Sequence, residues 1–262
     1  MPDILIFCWM RAKITVNKNR VIVPIFRSPS VGGGQVARKK VNNAIKMAMV
    51  RVANRMFLER GFSNTSVKAI AQELGISTGH ITFYYPTKEH LLAILVEKLC
   101  DFQWQMMNQT VDEGKTSLMA ICLELVAMAA ICEENEIAKD FYLSSYTNPM
   151  CLEIIRKSDT RRAKEVFGEY CADWNDENFA EAETLVSGIE YATLMTTPAS
   201  ASLEVRIAGA LNQIMTLYNV PANVRKMKID KVLAMDYGNI GRRIFTEFTE
   251  YIDSENSRLL EE

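Results

Sequence analysis

Histidine is nearly missing from this 262-residue chain. It occurs twice, at His80 and His90, and nowhere beyond residue 90. Any Ser–His or Cys–His nucleophile system is thereby excluded from the larger, C-terminal part. The paired carboxylates there, Glu133-Glu134 and Glu181/Glu183, sit on polar faces of helical segments and read as solvated surface. No catalytic residue and no cofactor are expected. Cysteines stand at 8, 100, 122, 132, 151 and 171, with no CxxC pair and no Cys/His metal spacing. Several lie in apolar helical stretches, where a free thiol acts as a small hydrophobe in a reduced protein, so no metal is expected. No apolar run approaches the roughly 20 residues of a membrane-spanning helix. The early stretch ILIFCWM is too short to span and lacks the flanks of a signal peptide. A cytoplasmic protein with no membrane partner is expected. Strand alternation and internal repeats are absent as well.

Charge is unevenly divided. The net charge is −2, but residues 36–90 hold nine Lys/Arg against three Glu. Residues 1–35 hold five Lys/Arg against one Asp, and residues 91–262 hold 16 Lys/Arg against 28 Asp/Glu. A basic head on an acidic body is the asymmetry expected when only the head meets phosphate.

Within that head, residues 65–92 (TSVKAIAQELGISTGHITFYYPTKEHLL) read as two short helices, a tight turn between them, and the start of a third. Thr65 or Ser66 caps the first helix with its hydroxyl. Val67, Ile70, Ala71 and Leu74 recur at helical spacing and form its apolar face. Gly75 follows, where a left-handed backbone is needed. Ser77 caps the second helix, which runs to about Tyr85 and stops at Pro86. Thr87 caps a third, opening Lys88-Glu89-His90. In the second helix Ile81 and Tyr84 or Tyr85 face inward. Thr78, Gly79, His80, Thr82 and Phe83 are left for the outer surface. Thr and His can hydrogen-bond base edges, and a Thr methyl or Phe can meet a thymine methyl. Gly79 lets the backbone approach closely. Tyr84 and Lys88 are placed for phosphates, which set register without reading sequence. With the hydroxyls of Thr65, Ser66 and Ser77, these residues form the expected DNA-contacting set. His90 reads as a helix-surface residue.

This segment resembles the DNA-binding domain of the TetR family of bacterial transcription regulators. The resemblance covers roughly residues 42–95. It rests on Ala53, Phe57, Gly61, Phe62, Thr65, Ile70, Ala71, Gly75, Ser77, Gly79, Tyr84, Tyr85, Lys88, Leu91 and Leu92. It implies that Tyr84 and Lys88 contact phosphate. Thr82 departs from the pattern, since many members carry an aromatic there.

Three divisions of the chain follow. Residues 1–35 carry Pro2, Pro24, Pro29 and a Gly32-Gly33-Gly34 run without helical period. They read either as an extension upstream of the natural start, with Val36 encoded by a GTG start codon, or as a disordered basic tail. Residues 36–90 form the helix-turn-helix head. Residues 91–262 form an all-α body, with helices expected near 88–109, 116–134, 137–147, 149–174, 177–197, 203–219 and 222–253, and breaks at Gly114, Pro149, Asn175, Pro198 and Pro221.

The body is rich in Met and aromatics. Phe102, Met106, Met128, Phe141, Tyr142, Tyr146, Trp174 and Tyr191 are its candidate ligand-contacting residues, because Met adapts to irregular apolar cavities. The resemblance implies a small-molecule inducer there. Small residues Ser187, Gly188, Ala192, Ala208, Gly209 and Ala210 in two late helices allow close packing between copies. The resemblance implies a homodimer through such helices, and a dimer matches a palindromic operator. The expected function is a homodimeric, ligand-responsive regulator acting at the nucleoid, a repressor released by inducer. The alternative is an inducer-free nucleoid or division factor, or an activator.

Overall fold

The computed structural model describes residues 35–112 and 117–258. The expected extension, residue 35 apart, and the break at Gly114 lie outside the described residues. Among those described there are eleven helices and no strand. The head comprises α1 (Gln35–Arg60), α2 (Val67–Leu74) and α3 (Thr78–Tyr84). The body comprises α4 (Lys88–Asp112), α5 (Ser117–Glu134), α6 (Glu136–Thr147), α7 (Pro149–Phe167), α8 (Asp176–Leu194), α9 (Leu203–Leu217), α10 (Ala222–Leu233) and α11 (Tyr237–Arg258). No described helix is long and apolar enough to cross a membrane.

The body is organised around α5. Its sequence SLMAICLELVAMAAICEE is apolar on nearly every face, the pattern of a helix surrounded by others. It packs against each of the other body helices. Its small residues permit a close crossing with α11: a side chain at Gly241 would stand 2.7 Å from the Ala127 carbonyl oxygen. Asn135, Asn148 and Asn175 cap α6, α7 and α8 by accepting backbone N–H groups.

Two expected helices differ from those observed. The segment expected over 149–174 ends as α7 at Phe167, where Gly168 caps it and tight turns occupy the rest. The segment expected over 222–253 divides into α10 and α11. Asp236 accepts the Asn239 N–H at 3.2 Å and starts a new helix, so an Asp inside the periodic pattern acts as a cap.

Head and body are tied together. α4 runs unbroken across residue 90, and α1 packs on α4, α6 and α11. From α6, the Asp140 carboxylate accepts the Ser63 N–H at 2.8 Å and the Ser63 hydroxyl. Five cysteines, Cys100, Cys122, Cys132, Cys151 and Cys171, are free and buried. Burial pushes the Cys122 thiol up to about 12, which leaves it unreactive at neutral pH.

Candidate functional site

The turn of the helix-turn-helix is built by backbone chemistry. Ser66 caps α2, its Oγ accepting the Ala69 N–H at 3.1 Å. Ile70, Ala71 and Leu74 bury the inner face. Gly75 closes the helix with φ 66° and ψ 29°, a conformation that other residues adopt at a cost. The Ile76 N–H then returns to the Ala71 carbonyl at 3.0 Å. Ser77 caps α3 by accepting the His80 N–H at 3.2 Å. Ile81 is fully buried and anchors α3, and the Tyr85 N–H closes on the Ile81 carbonyl at 2.8 Å.

The opposite face of α3 stands clear of the protein. Thr78, Gly79 and Thr82 are exposed, and Phe83 is 78% exposed. Its ring meets Tyr84 edge-on at 4.9 Å, while His80 and Tyr84 lie 5.8 Å apart. A side chain at Gly79 would meet nothing nearer than Ser77 Oγ at 3.9 Å, so the fold itself has room for one. Two cations flank this face. Lys46 Nζ lies 4.9 Å from the Tyr84 ring centre. Lys88 Nζ donates to the Phe62 carbonyl at 2.9 Å and the Thr65 carbonyl at 3.2 Å, over the Phe62 ring. An ammonium has three N–H groups, so one is left for a phosphate.

One expected contact residue is displaced. Thr65 is 1% exposed, and its hydroxyl donates to the Gly61 carbonyl at 2.8 Å. It braces the end of α1, and Ser66 alone of the two caps α2. His90 also has a local task, its Nδ1 lying 3.1 Å from the Thr87 hydroxyl at the start of α4. Lys46 was not among the expected contacts; its place beside α3 depends on how α1 crosses the head.

Of the eight expected ligand residues, Phe102, Met128, Phe141, Tyr142 and Tyr146 are buried, and Met106, Trp174 and Tyr191 partly so. Phe102 packs on Phe248 and Tyr251, Phe141 on Phe248 and Tyr142, and Trp174 on Phe179 and Tyr218. None of the eight expected residues lines a cavity of about 30 Å³ between α5, α7 and α8. Tyr146 adjoins it, its hydroxyl donating to Glu190 at 2.9 Å.

That cavity sets five charged residues among apolar ones. Glu124 of α5, Asp159 and Arg162 of α7, and Glu183 and Glu190 of α8 line it, together with Phe167, Tyr218 and aliphatic residues. Glu183, expected on the surface, is 4% exposed and accepts the Tyr218 hydroxyl. Its α8 neighbour Glu181 faces solvent, as a helical period separates residues two apart. Arg162 pairs with Glu124 through its Nη2 and with Asp159 at 3.1 Å. Burial opposes its charge, but Glu124 and Asp159 together hold it firmly protonated. Burial, reinforced by the Asp159 charge, pushes the Glu183 carboxyl up to about 8. Burial raises Asp159 to about 6 against the pull of Arg162. Glu190 is raised well above the ordinary range by burial and by Asp159 and Glu183. No group of three or more His, Cys, Asp or Glu is arranged to hold a metal ion among the described residues.

Comparisons with known proteins bear on the head. The family described as "Bacterial regulatory proteins, tetR family" matches residues 50–95. Among solved structures, the chain is similar to "Crystal structure of gamma-butyrolactone receptor (ArpA-like protein)". Identity there is 16% and the TM-score 0.38, over 80% of this chain and 99% of that one. No curated protein matches. The matched segment spans the capped α2–α3 turn, its Ile81 anchor and the start of α4, so the head of this chain is similar to the tetR family of bacterial regulatory proteins.

Proposed function

We propose that the chain is a homodimeric transcription repressor that binds a palindromic operator and is released by a small molecule bound in its body. It acts by binding rather than catalysis, in the cytoplasm, on chromosomal DNA. The observation that carries this reading is the free face of α3, with Thr78, Gly79, Thr82 and Phe83 exposed beside Lys46 and Lys88. α3 enters the major groove. Thr78, His80, Thr82 and Phe83 meet base edges, and Gly79 brings the backbone close. Tyr84, Lys88 and the hydroxyls of Ser66 and Ser77 hold phosphates.

The dimer forms through α8 and α9. Leu185, Met195 and Val205 are 49%, 47% and 62% exposed, and Gly188 and Gly209 have open space where a side chain would stand. This is an apolar face with small residues, suited to a second copy. Ligand in the body acts on the head through α4 and the Asp140–Ser63 contact. A coupling of about 1–3 kcal/mol is enough for a 5- to 150-fold change in operator affinity.

A mobility-shift titration of the full chain on DNA flanking its own gene, at two salt concentrations, tests this. Tight, competitor-resistant binding to one palindromic fragment is expected. Weak binding to all fragments that fades steeply with salt would mean phosphate contact only, and the operator reading would fall.

A further inference from the structure

The residues lining the body cavity carry four carboxylates and one guanidinium. Arg162 is 2% exposed, yet its Nε has no hydrogen-bond partner. Buried donors are ordinarily satisfied, so an open N–H in a cavity-lining side chain marks a place for an acceptor. The excess of carboxylates marks a place for a positive charge. Phe167 and Tyr218 also line the cavity, stacked on each other at 4.1 Å. The carboxylates do not converge as a metal ion requires, which leaves an organic cation that spreads hydrogen bonds among them. A cavity of about 30 Å³ admits a head group, since one water needs roughly 10–15 Å³ on this measure.

We propose that this cavity binds a small organic cation, its ammonium head among Glu183, Glu190 and Asp159 and an adjacent acceptor atom on Arg162 Nε. The proposal names the ligand class for the ligand-released repressor. It depends on that reading only for the consequence at DNA, not for binding. Without a cation, burial and the Asp159 charge keep a proton on Glu183 to about 8, burial keeps one on Glu190, and Asp159 gives up its own near 6. The groups facing them are Glu124 from α5, Tyr146 from α6, Arg162 from α7 and Tyr218 after α9. An amine remains protonated throughout this range. Cation binding therefore displaces protons and tightens as pH rises from 6 to 8, by up to about tenfold per pH unit for each proton released.

Calorimetric titration of the full-length protein with three isosteric probes tests the site. They are 3-methoxypropylamine (cation and acceptor), pentylamine (cation only) and 1-methoxybutane (acceptor only). The first is expected to bind tightest, at least about tenfold better than the neutral ether. Its heat should vary with the buffer's ionisation enthalpy as protons are released. E183Q and E190Q should each weaken both amines about tenfold or more, while E181Q, on the exposed side of α8, should not. Equal binding by the ether, undiminished binding in both buried-site variants, or no binding by any probe at about 10 mM would overturn the proposal. Should E183Q not fold, E190Q and the pH dependence of the unmodified protein decide. The same probes are then added to the operator complex. A cation that binds by these criteria but leaves operator affinity unchanged upholds the site and removes ligand release. Release by some other compound, with no cation bound, does the reverse.

Discussion

Gly79 and Phe83 are the residues of α3 at which the proposed DNA contact can be separated from folding. Gly79 is helical, exposed and unobstructed, so the fold does not need a glycine there. Ala is the better helix former by about 1 kcal/mol. G79A should therefore melt at the same temperature or higher while binding operator at least about tenfold more weakly, because its methyl occupies the approach to DNA. A melt combined with a mobility shift reads both; unchanged operator affinity would remove Gly79 from the interface. Phe83 is 78% exposed and gives the folded protein little. F83A should leave stability within about 0.5 kcal/mol of the parent, as surface substitutions do. Its operator affinity should fall, with the loss confined to sequences bearing thymine at the contacted step. Thr65 behaves oppositely: its buried hydroxyl bonds would make T65A a folding defect before a binding one.

Among the elements, α8 holds a carboxylate that titrates against stability. Glu183 has an ordinary value of 4.5 that burial and Asp159 raise to about 8 in the folded chain. Between those values the folded state keeps a proton that the unfolded state has lost. Stability is thus fully present below pH 4.5 and declines as pH rises to about 8, by about 1.4 kcal/mol per pH unit for one proton. Asp159 adds the same sign between 3.8 and about 6. Denaturant unfolding of E183Q, which keeps a neutral side chain throughout, should show a shallower decline between pH 5 and 8. An identical slope would mean that Glu183 is ionised in the native protein. A second element-level dependence lies where α11 crosses α5. G241V places atoms against the Ala127 carbonyl and should cost about 1–3 kcal/mol through overpacking, measurable as a lower denaturation midpoint.

At the scale of the whole molecule, the proposed dimer binds its operator through two heads held at one spacing. The exposed Leu185 and Val205 lie on α8 and α9, away from α3. Placing charge at both, L185E with V205E, should yield a folded monomer by sedimentation. Operator affinity should drop by more than about a hundredfold, since each half-site is then bound separately. A double variant that stayed dimeric would move the interface elsewhere.

Much of the head was legible in local sequence. Capping by Ser77, the left-handed turn at Gly75, the buried Ile81 and the end of α3 near Pro86 all depend on residues within a few positions of one another. The helical body was legible too, from period and breakers. Its error at Asp236 arose because one capping hydrogen bond outweighs a continuing apolar pattern. What tertiary structure decided is whatever depends on residues far apart in the chain. Thr65 and Ser66 are equivalent as hydroxyls until the packing of α1 buries one of them. Lys46 becomes a neighbour of Tyr84 only once α1 packs on α2 and α4. Glu183 reads as a surface acid until α5, α7 and α9 close over it beside Arg162. Short-range hydrogen bonding and side-chain period are written along the chain, so sequence alone determined a helix-turn-helix on a helical body. Burial and charge pairing are properties of the assembled helices, and only there did the acidic cavity come into existence.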